Sequence, residues 1–330
     1  MRKALRSRPA RFLRNLLWAA ADLYMMALVL YLPLRFAFGD ALWPVALAST
    51  FLHGLLMPAF VLLPLALWRR RWLAVALAGV NAATFLWLFG GLFLPAVGEH
   101  DDPAAMTFMT ANLHVAPPAQ VVELLRASGA DVIGLQEVRP FHIPTIEAEL
   151  AHLYPYQVLR SEVGTPGKGL LSRYPILEYE FFSSRVQYPY LRAALDVEGS
   201  RLTVLVAHLP SPSFGVRGFR IHPAHATNIA MLIRMAVEEA PTVMLGDFNT
   251  TDQNDNYALM VDAGLIDAFR AAGRGLGLTW PDGGTLGLPL PPLVRIDYVW
   301  YTPHLRALAA WVGPGFGSDH YPVLARLAWR

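Results

Sequence analysis

The chain has no cysteine among its 330 residues, and only 16% of them carry charge. The first absence excludes disulfides, zinc–thiolate sites and a cysteine nucleophile, though it says nothing of compartment. The second goes with a mean hydropathy of +0.36, too apolar for an ordinary soluble chain of this length. No internal repeat is visible. The scarce charge is unevenly spread. Up to Asp102 there are 10 Lys+Arg against 5 Asp+Glu, and from Pro103 onward 17 against 20, which account for the 27 and 25 of the whole chain. The balance is therefore +5 in the first stretch and −3 in the second. The sequence pI near 8.9 belongs to the N-terminal part. A domain built to grip the DNA backbone normally carries a basic surplus, and the C-terminal part does not.

The N-terminal part, residues 1–102, reads as a membrane anchor. Six basic residues and no acid precede Asn15, and three apolar stretches follow at about 16–34, 43–68 and 72–94. Each has the roughly 20 residues that a helix needs to cross a bilayer. Arg69-Arg70-Arg71 separates the second from the third between two tryptophans, and Glu99, Asp101 and Asp102 follow the third. The positive-inside rule then puts the N-terminus and the arginine triplet in the cytoplasm, and three crossings put everything beyond Pro95 outside the inner membrane. A cleaved signal peptide is the competing reading of the first stretch, but two more spans would still hold the chain. Asp22, His53 and Asn81, isolated and unlike one another, are expected to bond between helices, and Pro44, Pro58 and Pro64 to kink the second.

From Thr107 short apolar runs alternate with helical segments, the mark of an α/β domain over residues 103–330. Strands are expected at Thr107–Ala111, Asp131–Glu137, Tyr154–Leu159, Gly169–Ser172, Leu191–Val197, Leu202–Ala207, Thr242–Leu245, Ile296–Tyr301 and Pro322–Leu327. Helices are expected at Ala119–Ser128, Ala224–Glu239 and Tyr257–Ala263. Several strands end in polar residues, where α/β folds often place their sites. These are Asn112, Glu137, His208, Asp247 with Asn249, Asp297, and Asp319 with His320. Each alone fits a solvated strand end, a capped turn or a structural histidine. Together they supply hard oxygen ligands for Mg²⁺ or Mn²⁺, a histidine with a carboxylate to orient it, and donors for transition-state charge.

Six stretches carry a resemblance: Thr110-Ala111-Asn112-Leu113, Gly134-Leu135-Gln136-Glu137-Val138, Ala207-His208-Leu209, Gly246-Asp247-Phe248-Asn249, Arg295-Ile296-Asp297-Tyr298-Val299 and Gly317-Ser318-Asp319-His320. In this order they resemble the endonuclease/exonuclease/phosphatase superfamily, which includes deoxyribonuclease I-like nucleases, neutral sphingomyelinases and inositol-phosphate phosphatases. The resemblance implies a four-layer α/β/β/α sandwich with the site at one edge. It implies Glu137 as principal metal ligand, supported by Asn112 and Asp319, and His320 as general base oriented by Asp297. Asp247 and Asn249 would position the attacking water and the phosphate, and His208 would donate to a non-bridging oxygen. Arg192 falls where many members place a phosphate-contacting arginine, and His114 has no assigned place beyond a structural one.

The resemblance gives the bond and not the molecule. An extracytoplasmic, tethered and mildly acidic domain points to a lipid or other envelope phosphate ester. The segment Pro210–Pro223, with Phe214, Val216, Phe219 and Ile221 among Arg217 and Arg220, could meet lipid head groups, pack on itself, or stack the bases of a nucleic acid. A tethered nuclease is the alternative. A dead scaffold is the alternative of another class, disfavoured because no ligand is missing.

Overall fold

The computed structural model describes residues 2–94, 102–162, 165–183, 189–216, 218–284, 287 and 289–330. It divides into two compact units, Met1–Gly91 and Leu92–Arg330. The first is helical: α1 (Arg2–Phe38), α2 (Trp43–Thr50), α3 (Leu52–Leu56), α4 (Ala59–Trp68) and α5 (Trp72–Phe89). Two apolar helices, Ala10–Ala41 and Trp72–Phe93, are long enough to cross a membrane. The middle stretch, expected as one kinked span, is bent by 83° between Trp43–Thr50 and Leu52–Trp68. Its count as a crossing depends on whether the bent pair is one broken span or a re-entrant loop. Local chemistry accounts for the break. The Thr50 hydroxyl donates back to the Ala46 carbonyl at 2.9 Å, a bond that bends helices. Pro58, eight residues on and with no N–H to give, marks the further interruption between α3 and α4. Of the three polar groups expected between helices, Asn81 donates to the Met25 carbonyl at 3.1 Å and Asp22 meets Arg71 at 3.0 Å, while the His53 ring packs edge-on against Phe89.

The second unit opens with β1 (Met106–Asn112), α6 (Pro118–Ala127) and β2 (Val132–Val138). It continues through α7 (Ile143–Leu150), β3 (Tyr156–Glu162), β4 (Thr165–Ser172), β5 (Ile176–Ser183), β6 (Pro189–Val197) and β7 (Ser200–His208). A small hairpin, β8 (Ser213–Gly215) with β9 (Gly218–Arg220), precedes α8 (Ala224–Glu238) and β10 (Thr242–Asp247). The chain ends with α9 (Asp255–Asp262), β11 (Ile266–Asp267), α10 (Ala268–Ala272), β12 (Asp297–Tyr301), β13 (Leu305–Val312) and β14 (Val323–Trp329).

Two six-stranded sheets form, in orders β13-β14-β1-β2-β4-β3 and β11-β12-β10-β7-β6-β5. Each has one parallel pair made by a helical crossover: β1 with β2 through α6, and β7 with β10 through α8. Alternating side chains of both sheets, among them Phe108, Leu170, Val206 and Leu245, fill the layer between them. The outer face of the first sheet packs on α6 and α7, and that of the second on α8 and α9. The result is the expected α/β/β/α sandwich. Two glycines set how closely its parts approach. A Cβ at Gly134 would lie 2.8 Å from the Leu245 Cβ across the layer, and one at Gly246 would lie 2.2 Å from the Ala207 carbonyl oxygen. Both adjoin the strand ends that carry the polar residues.

Candidate active site

Parallel pairing puts the ends of β1 and β2 side by side, and likewise those of β7 and β10, and sheet packing brings the four together. Asn112 closes β1, His208 closes β7 and Asp247 closes β10, while Asp297 opens the antiparallel β12 directly opposite Asp247. Glu137 sits where the β2–β4 register slips between Gln136 and Val138, with φ of +52°. His114 and Asn249 also have positive φ, +45° and +48°. Three non-glycine residues in the left-handed region, all at one edge, mark backbone held under strain at a functional place. His320 lies in the β13–β14 connection. Its N–H donates to the Ser318 hydroxyl at 3.1 Å, and that hydroxyl donates to the Asn112 carbonyl at 2.6 Å.

The side chains interlock across the sheets. The Asn112 amide donates to Glu137 Oε1 (3.3 Å) and Asp247 Oδ2 (3.1 Å), while its oxygen accepts from the His114 N–H. His208 Nε2 is 3.5 Å from Asp247 Oδ2 and 3.9 Å from Glu137 Oε1. Asn249 Nδ2 reaches Asp247 Oδ2 at 3.2 Å and the Leu209 carbonyl at 2.8 Å. His320 Nδ1 is 3.0 Å from Asp297 Oδ2, and its Nε2 is 3.8 Å from Asp247 Oδ2. Asp297 is held in turn by its N–H on the Thr279 hydroxyl.

Electrostatics separates the groups. Burial pushes His320 down, but Asp297 and Asp247 outweigh it and raise its pKa to about 10, an imidazolium. His208 goes the other way: burial first, then the charges of Lys168 and His320, hold it well below the usual histidine range and therefore neutral. Burial raises the Asp247 carboxyl well above the ordinary carboxylate range, partly opposed by His320. Lys168, fully buried on β4, is dragged by burial down to about 7 against the pull of Glu137 and Asp247.

The acids fit a hard divalent cation. Asp247, Asp297 and His320 offer ligand atoms within 4.8 Å of one another, but His320 and Asp297 are already hydrogen-bonded together. Glu137 and Asp319 form the other group, bridged by His114, whose Nδ1 is 3.4 Å from Glu137 Oε2 and 3.8 Å from Asp319 Oδ1. Asp319 Oδ1 and Asp297 Oδ1 are buried without a hydrogen-bond partner. Carboxylate oxygens left unsatisfied beside other carboxylates are the donor set that Mg²⁺ or Mn²⁺ takes.

A family model for the endonuclease/exonuclease/phosphatase family matches residues 109–320. The chain belongs to that family. Among curated proteins it is similar to the uncharacterised protein YbhP of Escherichia coli K12, 26% identical over an alignment of 219 positions that covers 60% of this chain and 80% of that one. Among solved structures, an endonuclease/exonuclease/phosphatase from Bacteroides vulgatus superposes with a TM-score of 0.56 at 19% identity, covering 68% of this chain and 99% of that one. The human nocturnin catalytic domain, with bound sulfate anion, gives 0.54 at 16% identity, covering 68% and 94%. TDP2 from Caenorhabditis elegans gives 0.54 at 16%, covering 70% and 77%. At these identities the likeness shows the fold.

Family membership and fold thus stand as the motifs implied. Asn112, Glu137, His208, Asp247, Asn249, Asp297, Asp319 and His320 meet at one edge. Arg192 does not. It lies three residues inside β6, where its guanidinium pairs with Glu239 at 2.5 Å and Glu178 at 3.0 Å. The strand alternation that a phosphate contact would need is satisfied there by two neighbouring acids instead. Asn112 departs from a simple ligand role, since its carbonyl is engaged and its NH₂ joins the two acids. Four other neighbours, among them His114, expected to be only structural, had no role in the site assigned from the sequence. His114 touches both candidate ligands. Arg139 meets Glu137 Oε2 at 3.2 Å, Trp280 donates to Asp319 Oδ2 at 3.3 Å, and Lys168 lies within the field of Glu137 and Asp247.

Proposed function

We propose that this chain is a divalent-metal-dependent phosphoesterase that hydrolyses a phosphodiester or phosphomonoester by in-line attack of water. Its favoured substrate is a lipid or other envelope phosphate ester at the outer membrane face. The observation that carries the reading is the histidine–carboxylate pair, with Asp297 Oδ2 on His320 Nδ1, aiming Nε2 at Asp247. Asp297 fixes the tautomer, leaving Nε2 to take a proton from water held between Asp247 and Asn249. Neutral His208, beside Asp247 and Glu137, donates to a non-bridging oxygen of the phosphate. A divalent ion held by Glu137 and Asp319, with Asn112 alongside, would supply positive charge that stabilises the developing phosphate charge and offsets the field now protonating His320. The sulfate bound by the human nocturnin catalytic domain, which shares this fold, is a tetrahedral anion of the kind such a pocket would take. Nothing in the catalytic set is missing, which weighs against an inactive scaffold.

The test uses the purified full chain with phospholipid, and with plasmid and single-stranded DNA in parallel. Mg²⁺ or Mn²⁺ should sustain turnover and chelation abolish it. His320→Ala or Asp247→Ala should cut kcat at least a thousandfold with the circular dichroism unchanged. Near-normal turnover in either variant would sink the mechanism, and cleavage of DNA in place of lipid would replace the substrate.

A further inference from the structure

Three connections leave the site end of the sheets: residues 113–117 after β1, 139–142 after β2, and 209–223 after β7. Each carries large apolar side chains turned outward beside the polar cluster. Val115 is 57% exposed, Phe141 50%, Phe214 71% and Val216 fully so. The first two connections are tied together, His142 Nε2 lying 2.9 Å from the Ala116 carbonyl. The third folds into the β8–β9 hairpin, which belongs to neither large sheet. Phe219 anchors that hairpin from its buried side, its ring 5.2 Å from that of Phe214, and His225 bonds the Pro210 carbonyl at its base. An ordered arm that holds apolar residues out in water invites a partner surface.

Charge says which surface. The C-terminal part carries a balance of −3, yet these three connections contain Arg139, Arg217 and Arg220 and no Asp or Glu. Apolar tips on connections whose sequence carries arginine and no acid match an acyl layer edged by phosphates. Residues 94–105 join the apolar helices to β1, and a dozen residues span at most about 40 Å, so a bilayer holding those helices stays within reach.

We propose that this rim docks on a phospholipid bilayer, with Phe141, Phe214 and Val216 entering the acyl edge and the exposed Arg220 meeting headgroup phosphates. The site would then open onto the lipid surface itself. The inference rests on the lipid reading above for its purpose, but not for its test.

The absence of native cysteine allows single-site labelling of the full chain in nanodiscs of phosphatidylcholine and phosphatidylglycerol. An environment-sensitive fluorophore is placed at Val216→Cys, Phe141→Cys and, as reference, Val237→Cys. Val237 is 52% exposed on the end of α8 that leads into the start of β10, away from the site. Expected is quenching of the two rim labels by lipid-borne nitroxide at least threefold stronger than at Val237, with weak quenching by aqueous iodide. Iodide quenching all three alike would overturn the proposal, as would rim labels shielded from both quenchers, which would mean a protein contact. Since depth is read without hydrolysis, a failure to cleave lipid would sink the substrate reading alone. Lipid cleavage with iodide-accessible rim labels would sink the docking alone.

Discussion

His320 is held between two carboxylates, and in the metal-free protein that environment ties its charge to stability. Its folded pKa, raised to about 10 from an ordinary 6.5, means the folded state holds this proton more tightly. The contribution is complete below pH 6.5 and lost as pH rises through about 10. The Tm advantage of the chelated wild type over His320→Gln should therefore shrink across that window; a constant difference would show that His320 is not held as an imidazolium. Arg192 belongs to another neighbourhood. Arg192→Ala should leave kcat/KM within about threefold while lowering Tm by a few degrees, because it breaks two ion pairs on a half-covered surface. A hundredfold loss of activity would return it to the site. These two residues show what single positions reveal. The eight clustered residues were legible because each lies at or close to a strand end within a short motif. Arg192 had only a loose motif, and its partners come from β5 and from the residue after α8. His114, Arg139 and Lys168 were illegible because their roles come from a bulge, a positive φ and a cross-strand register, which no local pattern encodes.

Strands, too, were read unevenly. β13, Leu-Arg-Ala-Leu-Ala-Ala-Trp-Val, is rich in helix formers and gave no strand signal, yet pairs with β14 along its length. Tertiary pairing overrides a weak local preference. β5 went unread because it is an edge, largely exposed, with Glu178 and Glu180 in a run that no core claims. The central strands were clear since both faces are buried and their apolar runs are continuous. At this scale Gly246 is decisive. Gly246→Ala would press a methyl onto the Ala207 carbonyl of the paired strand, which cannot withdraw without breaking the β7–β10 ladder. It should destabilise the protein by more than about 3 kcal/mol in chemical denaturation; a cost under 1 kcal/mol would mean the strands part more easily than their pairing indicates.

For the whole molecule, the side of a membrane on which the proposed hydrolysis would occur turns on the bent pair Trp43–Trp68. With the N-terminus in the cytoplasm, as the positive-inside rule expects, one crossing of the pair would make three spans and put the second unit outside, whereas re-entry would leave two and put it in the cytoplasm. A C-terminal reporter active only outside the cytoplasm should be active, and silence would make the bent pair re-entrant. The sheets carry a different kind of consequence. Three of the site's pairings join one sheet to the other: Asn112 to Asp247, Glu137 to His208, and His320, from the β13–β14 connection, to Asp297 on β12. Neither sheet owns a working half. On the function proposed above, a nascent chain would carry no working hydrolytic centre until its two layers had closed on each other, so activity would serve as its own certificate of completed folding.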